Sequence, residues 1–332
     1  MGLRLPTFQD LEEAKTRISG HCFETPLVES PTLNASIGAR LLLKAENLQI
    51  TGSYKLRGAV NRLTALTEDE RARGVVARSS GNHGLAVSYC ASRTGTTATI
   101  VVPTSAPPMK VDRIRALGAK VIQVPMAATA AAAAECAERE NRILVPTADD
   151  PWIVAGAGTV GLEIATKALM SDITIDTLLV CCSAGGLTAG CLLAFETLSP
   201  ETAIYAVEPA GFQKMERSLA AGYCIDNAPC GHTICDSLSG PFMASVPFEI
   251  IKGRLAGTLA VTDEEAMAAM RVAFVEFGLA VEPGGAVALA AALSGRVPTR
   301  GQTIAVTISG RNVGLDMAGY VLGASGLSGA QS

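Results

Sequence analysis

Apolar residues in this chain fall into two patterns, short unbroken runs and longer stretches with an apolar side chain every third or fourth position. Phe8 to Ile18 puts Leu11, Ala14 and Ile18 on one face and Asp10, Glu12 and Glu13 on the other, a spacing that predicts a helix. Thr25-Pro26-Leu27-Val28 reads as a short extended piece and Ala39 to Lys44 as a strand. From Gly74 the two patterns alternate: strand Val75 to Ala77, turn Ser79 to Gly84, a helix through Ala86, Tyr89 and Cys90, and strand Ala98 to Pro103. A helix over Lys110 to Leu117, strand Lys120 to Val124 and an alanine-rich helix reaching Glu140 follow.

Asp149-Asp150-Pro151 marks a boundary by its turn chemistry. Beyond it the pattern predicts helix Thr159 to Met170, strand Thr177 to Cys182, a glycine loop with a helix, and strand Ala203 to Val207. Gly222 to Gly253 reads as irregular. Thr262-Asp263-Glu264-Glu265 is a capping box for a helix to Phe277, Glu282-Pro283-Gly284-Gly285-Ala286 opens another, and Thr303 to Ser309 is the last strand. Strands alternating with helices predict an α/β fold of mostly parallel sheets covered on both faces.

Composition narrows this. A chain of 332 residues accommodates two lobes, and 48% apolar, 4% aromatic content with 33 glycines fits close helix–sheet packing. A net charge of −4 leaves no basic face for nucleic acid. No apolar run reads as a membrane span, and the N-terminus has neither a signal core nor, with Pro6, a myristoylation signal, so a cytoplasmic protein is expected. The nine cysteines are scattered as reduced thiols are. Cys224, Cys230, His232 and Cys235 lack paired C-x-x-C knuckles, and no metal is expected.

Two stretches carry chemistry. In Thr51-Gly52-Ser53-Tyr54-Lys55-Leu56-Arg57-Gly58-Ala59, a small-residue turn places Lys55 at the start of a helix with Val60, Leu63 and Leu66 on its apolar face. Free amide groups and the dipole there depress a lysine pKa and favour an adjacent anion, which suits a Schiff-base nucleophile. Cys182-Ser183-Ala184-Gly185-Gly186-Leu187-Thr188 follows a buried strand and opens a helix, so its amides can converge on a phosphate monoester. Gly156-Ala157-Gly158-Thr159-Val160-Gly161 matches the dinucleotide fingerprint in letters, but no strand ends at its first glycine.

An amine, a phosphate nest and the polar turn Ser79-Ser80-Gly81-Asn82-His83 together describe a pyridoxal 5'-phosphate (PLP) site. With its Ser-Tyr-Lys-x-Arg-Gly-Ala and Ser-Gly-Asn-His-Gly motifs, the chain resembles the fold-type II PLP enzymes of the serine/threonine dehydratase and serine racemase family, from Thr25 to Asn312. The resemblance implies a two-lobed, tryptophan synthase β-like fold: a large domain of residues 1–70 and 151–325, a small substrate-closing domain of 71–150, and a disordered tail, 326–332. It implies that Lys55 bonds the cofactor aldehyde, with Tyr54 beside the ring and Asn82 on the ring hydroxyl. Ser183, Ala184, Gly185, Gly186 and Leu187 would hold the phosphate, and Ser309 would face the pyridine nitrogen. Ser79, Ser80, Gly81 and His83 would take the substrate carboxylate. A homodimer is expected on the same ground.

The activity expected from this resemblance is elimination of water from a β-hydroxy amino acid, giving a 2-oxo acid and ammonia. Ser80, where many dehydratases have alanine, resembles the second base of the racemases and leaves amino-acid racemisation open. A nicotinamide-dependent oxidoreductase using Gly156 to Gly161, and a binding protein without catalysis, are the other readings. Several positions depart from the family pattern: Ser183 and Ala184 in the glycine loop, Arg311 after Ser309-Gly310, and Ser237. Lys214 stands where many relatives carry an aspartate for a divalent cation, and is expected to pair with Glu208 and make activity metal-independent. The early turns of the helix from Ala127 hold no arginine for a β-carboxylate, which disfavours hydroxyaspartate as substrate.

Overall fold

The computed structural model describes residues 3–227, 231–321 and 323. Its strands are β1 (Leu27–Val28), β2 (Arg40–Ala45), β3 (Val75–Arg78), β4 (Ala98–Pro103), β5 (Lys120–Val124), β6 (Ile143–Leu144), β7 (Thr177–Cys181), β8 (Ala203–Pro209), β9 (Gly257–Val261) and β10 (Thr303–Ile308). They form a six-stranded sheet, order β1-β2-β10-β7-β8-β9, and a four-stranded sheet, order β5-β4-β3-β6. Only β1 runs antiparallel, with Leu27 opposite Lys44; every other pairing is parallel. Both interiors are built from small aliphatic residues, Leu41, Leu43, Leu179 and Val306 in one sheet and Val75, Ala77, Ile100 and Val102 in the other.

Helix Pro151–Met170 corrects two expectations. It starts at the Asp150 cap, whose carboxylate accepts from the amides of Trp152 (2.7 Å) and Ile153 (3.1 Å), and not at Thr159. Its glycines read as loop residues because they disfavour helix in isolation, yet close packing here requires them. A Cβ on Gly156 would lie 2.6 Å from the Arg57 carbonyl, and one on Gly190 would lie 2.5 Å from the Cα of Gly158. The G-x-G-x-x-G letters are therefore a notch where helices cross, which removes the dinucleotide reading. The helix is also long and apolar enough to cross a membrane by length and composition, contrary to expectation, but 78% of its apolar window is buried inside the protein.

Smaller corrections follow. Asn82 and His83 belong to helix Asn82–Thr94 and not to the turn before it. The stretch read as irregular contains helix Ser245–Ile251, and strand β9 and helix Leu315–Val321 were not anticipated. The half-buried edge strand β9 carries only a weak apolar signal. The tail 326–332 lies outside the described residues. Helix Lys55–Thr64 bridges the two halves: Gly58 meets Ile153 of the long helix, while Leu56, Ala59, Val60 and Leu63 join the apolar cluster of the four-stranded sheet.

Candidate active site

The turn before Lys55 is held by the end of β10. Tyr54 donates its amide to the Ser309 carbonyl (3.1 Å), Arg311 donates its amide to the Gly52 carbonyl (2.8 Å), and Ser53 bridges to Gly310. Gly52 has a φ of +79°, and a Cβ there would stand 2.8 Å from Asn312 Oδ1, so the turn needs glycine. Lys55 then begins its helix with its Nζ donating to the Thr147 carbonyl (3.2 Å) and lying 5.0 Å from the centre of the Tyr54 ring. Part of its side chain is open to the cleft while the amine is desolvated. Burial lowers its pKa to about 8; Lys214 lowers it further and Cys181 opposes the shift.

A buried ion cluster that the sequence reading missed fixes the same helix. Arg57, with no exposed surface, donates to Glu46 (2.7 and 2.8 Å) and to Glu163 (2.5 and 2.8 Å), and Lys44 reaches Glu163 at 2.5 Å. Lys44, Glu46 and Arg57 lie near one another in sequence, but Glu163 is far away and no periodicity links the four, so no local signal announces the cluster.

Ser79, Ser80 and Gly81 follow β3, half-buried at the cleft. The Gly81 amide donates to Ser79 Oγ (3.1 Å), and a Cβ on Gly84 would come within 2.2 Å of the Ser79 carbonyl. His83 is buried, and burial pushes its pKa down to about 4. Its Nε2 lies 3.1 Å from the Val145 carbonyl, and a carbonyl only accepts, so this nitrogen holds the proton of a neutral ring. The imidazole thus offers no N–H to the cleft, and this segment presents serine hydroxyls and helix-start amides instead.

Asn82 is fixed on both sides. Its Nδ2 donates to Glu282 Oε1 (2.6 Å), and its Oδ1 accepts from Asn312 Nδ2 (2.6 Å), which also donates to the Thr51 carbonyl (2.9 Å). One Asn82 N–H is left over. Glu282 is pushed up to about 7, first by burial and then by Asp236.

On the third side, Gly185 has a φ of +88° and is walled by Met215, Pro247 and Met243. Helix Gly186–Leu198 starts there, and its first closing bond is from the Ala189 amide to the Gly185 carbonyl (2.8 Å). The amides of Gly186, Leu187 and Thr188 precede that bond and stand free. A small cavity joins this helix start to the lysine: Tyr54, Lys55, His83, Thr147 and Gly186 all line it. Ser309 is buried at the end of β10, next to the lysine turn. Ser53 Oγ, Thr51 Oγ1 and Thr188 Oγ1 are buried with no nitrogen or oxygen partner among the described residues. A desolvated amine and the free amides of a helix start at one cavity fit a phosphorylated aldehyde cofactor.

Departures noted in the sequence resolve individually. Lys214 does not pair with Glu208. Both carboxylate oxygens of Glu208 accept from amides, of Met215 (2.9 Å) and Glu216 (3.1 Å), so the carboxylate caps helix Lys214–Ala221, and burial pushes it up to about 7. Lys214 is buried and donates to Ser183 Oγ (3.1 Å) and to the Gly240 carbonyl. The Arg311 guanidinium donates to the Asn47 carbonyl. Ser237 packs its Oγ where a Cβ on Gly284 would stand, against helix Pro283–Leu293. Arg139, at the far end of helix Thr129–Arg139, is paired with Glu135 and Glu140. Of the weighed zinc set, Cys230 lies outside the described residues; among the described residues no group of three or more His, Cys, Asp or Glu is placed to hold a metal.

Comparison with known proteins agrees with this geometry. Residues 18–310 match the family model described as "Pyridoxal-phosphate dependent enzyme". A putative threonine dehydratase of Sinorhizobium fredii is 37% identical over 315 residues, covering 94% of this chain and 93% of that protein. A serine racemase of Oryza sativa subsp. indica is 35% identical over 312 residues, 92% of this chain and 90% of its own length. The crystal structure of a T.th. threonine deaminase superposes with a TM-score of 0.88 at 37% identity, covering 93% of this chain and 99% of that one. The chain belongs to the pyridoxal-phosphate dependent enzymes of fold type II, and PLP is its cofactor. Within them, its place is the serine/threonine dehydratase and serine racemase family.

Proposed function

We propose that this enzyme removes water from a neutral β-hydroxy amino acid, releasing a 2-oxo acid and ammonia. One observation carries the reading: Lys55, its pKa lowered to about 8, has no carboxylate partner among the described residues and lines one cavity with Gly186 of the loop helix. Lysines kept for charge alone are normally paired or solvated; one left desolvated and unpaired is suited to nucleophilic and base chemistry. The related threonine dehydratase supports elimination.

In this reading Lys55 anchors the cofactor, and the loop from Ser183 to Leu187 holds its phosphate. The remaining Asn82 N–H would be available to the ring oxygen, Tyr54 to the ring face and Ser309 to the ring nitrogen. Bound PLP supplies the electron sink that acidifies the substrate Cα. The residues do the rest. Ser79, Ser80, Gly81 and the amide of His83 receive the substrate carboxylate. Lys55, once displaced by the substrate amine, takes the Cα proton. The β-hydroxyl departs as water with a proton delivered from the phosphate side, and the released enamine tautomerises and hydrolyses to the oxo acid and ammonia. Ser309, a neutral hydroxyl, would not hold a ring nitrogen protonated as a carboxylate would.

Racemisation is the second reading, carried by the Ser80 hydroxyl in the half-buried turn at the cleft and by the related serine racemase. Proton NMR in D₂O with the PLP-loaded enzyme separates the two. The panel holds L- and D-serine, threonine, phenylserine and 3-hydroxyaspartate. We expect 2-oxo acid from a neutral member of the panel. Cα exchange without oxo acid would replace elimination by racemisation, with Ser80 as the second base.

A further inference from the structure

Lys214 is 1% exposed, which makes it one of the largest fully buried side chains of the protein. A buried ammonium normally has a carboxylate beside it, because an uncompensated charge away from water is costly. Among the described residues none lies within ion-pair distance: Glu208, the nearest in sequence, spends both oxygens on backbone amides. Two of the three N–H groups of Lys214 go to Ser183 Oγ and the Gly240 carbonyl. Ser183 Oγ in turn donates to the Leu238 carbonyl (3.1 Å), so it can only accept from Lys214. The ammonium is thereby aimed at the first residue of the loop that ends in the free amides of Gly186, Leu187 and Thr188. In the same first turn, Thr188 Oγ1 is buried beside the Cys182 thiol, with no nitrogen or oxygen partner among the described residues. A buried cation without an ion-paired carboxylate among the described residues and the free amides of a helix start thus share one loop.

Building on the phosphate-loop reading above, we propose that Lys214 is the fixed counter-charge of the cofactor phosphate, set behind Ser183, whose hydroxyl is spent on Leu238 and Lys214 and leaves the phosphate to the ammonium's own charge and the loop amides. The loop places Ser183 and Ala184 ahead of its two glycines, and the lysine supplies from outside the nest the positive charge that a phosphate dianion requires. This is a binding role, distinct from the proton chemistry of Lys55.

The test compares PLP with pyridoxal, which has the same aldehyde and ring but no phosphate. Apo-protein of wild type, Lys214→Met and Lys214→Arg is titrated with each, following absorbance. Lys214→Met should weaken PLP by roughly 10- to 100-fold, the range for removing one hydrogen-bonded charge, and leave pyridoxal unchanged. Equal losses for both ligands would make Lys214 a structural tether, and unchanged PLP affinity would also overturn the proposal. Should Lys214→Met not fold, the ³¹P resonance of PLP bound to Lys214→Arg decides. It should shift from the wild-type position, and an unmoved resonance would count against a phosphate contact. Failure of wild-type protein to bind PLP would instead strike the phosphate-loop reading.

Discussion

Lys55 and Arg57 sit on the same helix, two residues apart, and their surroundings are opposite. Arg57 is wrapped by Glu46 and Glu163, with Lys44 closing the cluster, and despite the cost of burial these carboxylates hold its pKa above the ordinary arginine value. Lys55 has a carbonyl and an aromatic face but no anion, and burial pulls it down to about 8. The paired cation positions the helix; the unpaired one is left reactive. Buried charge on this helix is compensated where it holds structure and left without an ion-pair partner where it lines the cavity.

Breaking each member of the pair should damage different properties. Lys55→Ala should lower oxo-acid formation by roughly 10²- to 10⁴-fold or more, the scale of losing a positioned base, with little change in the urea midpoint. Wild-type turnover in that variant would remove the mechanism. Arg57→Met should instead lose roughly 3–5 kcal/mol of stability in urea unfolding, because it strands the buried Glu46 carboxylate and leaves Glu163 with Lys44 alone. The folded fraction should still take up PLP. A neutral effect on stability would mean that Glu46 and Glu163 are not both ionised, contrary to the paired-charge account.

How much of this was legible follows from the kind of interaction involved. The α/β alternation, the Lys55 turn and the Ser183 loop are local patterns, and the structure brings Lys55 and Gly186 to one cavity. The notch at Gly156 and Gly158 was not legible as helix, because only close contacts with Gly58 and Gly190 turn those glycines into an advantage. Lys214 is expected to pair with Glu208 because it stands where many relatives carry a cation-binding aspartate, so that its charge could replace the metal's. The orphan amides at the start of its own helix claim that carboxylate first. His83 was expected at the substrate carboxylate, yet its side-chain N–H is committed to Val145, a partner no motif announces. The Arg57 cluster joins β2, two helices and the loop after β2, and such a set becomes visible only once the chain is folded.

The most direct test of the contrast between paired and unpaired lysines is covalent. Apo-protein is mixed with PLP over a range of pH, reduced with borohydride at short times, digested and mapped by mass spectrometry. The account predicts that the reduced adduct sits on Lys55, with its rate of formation rising to half its maximum near pH 8, where the lowered pKa frees the amine; an ordinary lysine would need a pH above about 10. An adduct on Lys214 or Lys44 in place of Lys55, or a Lys55 profile still climbing at pH 10, would contradict it.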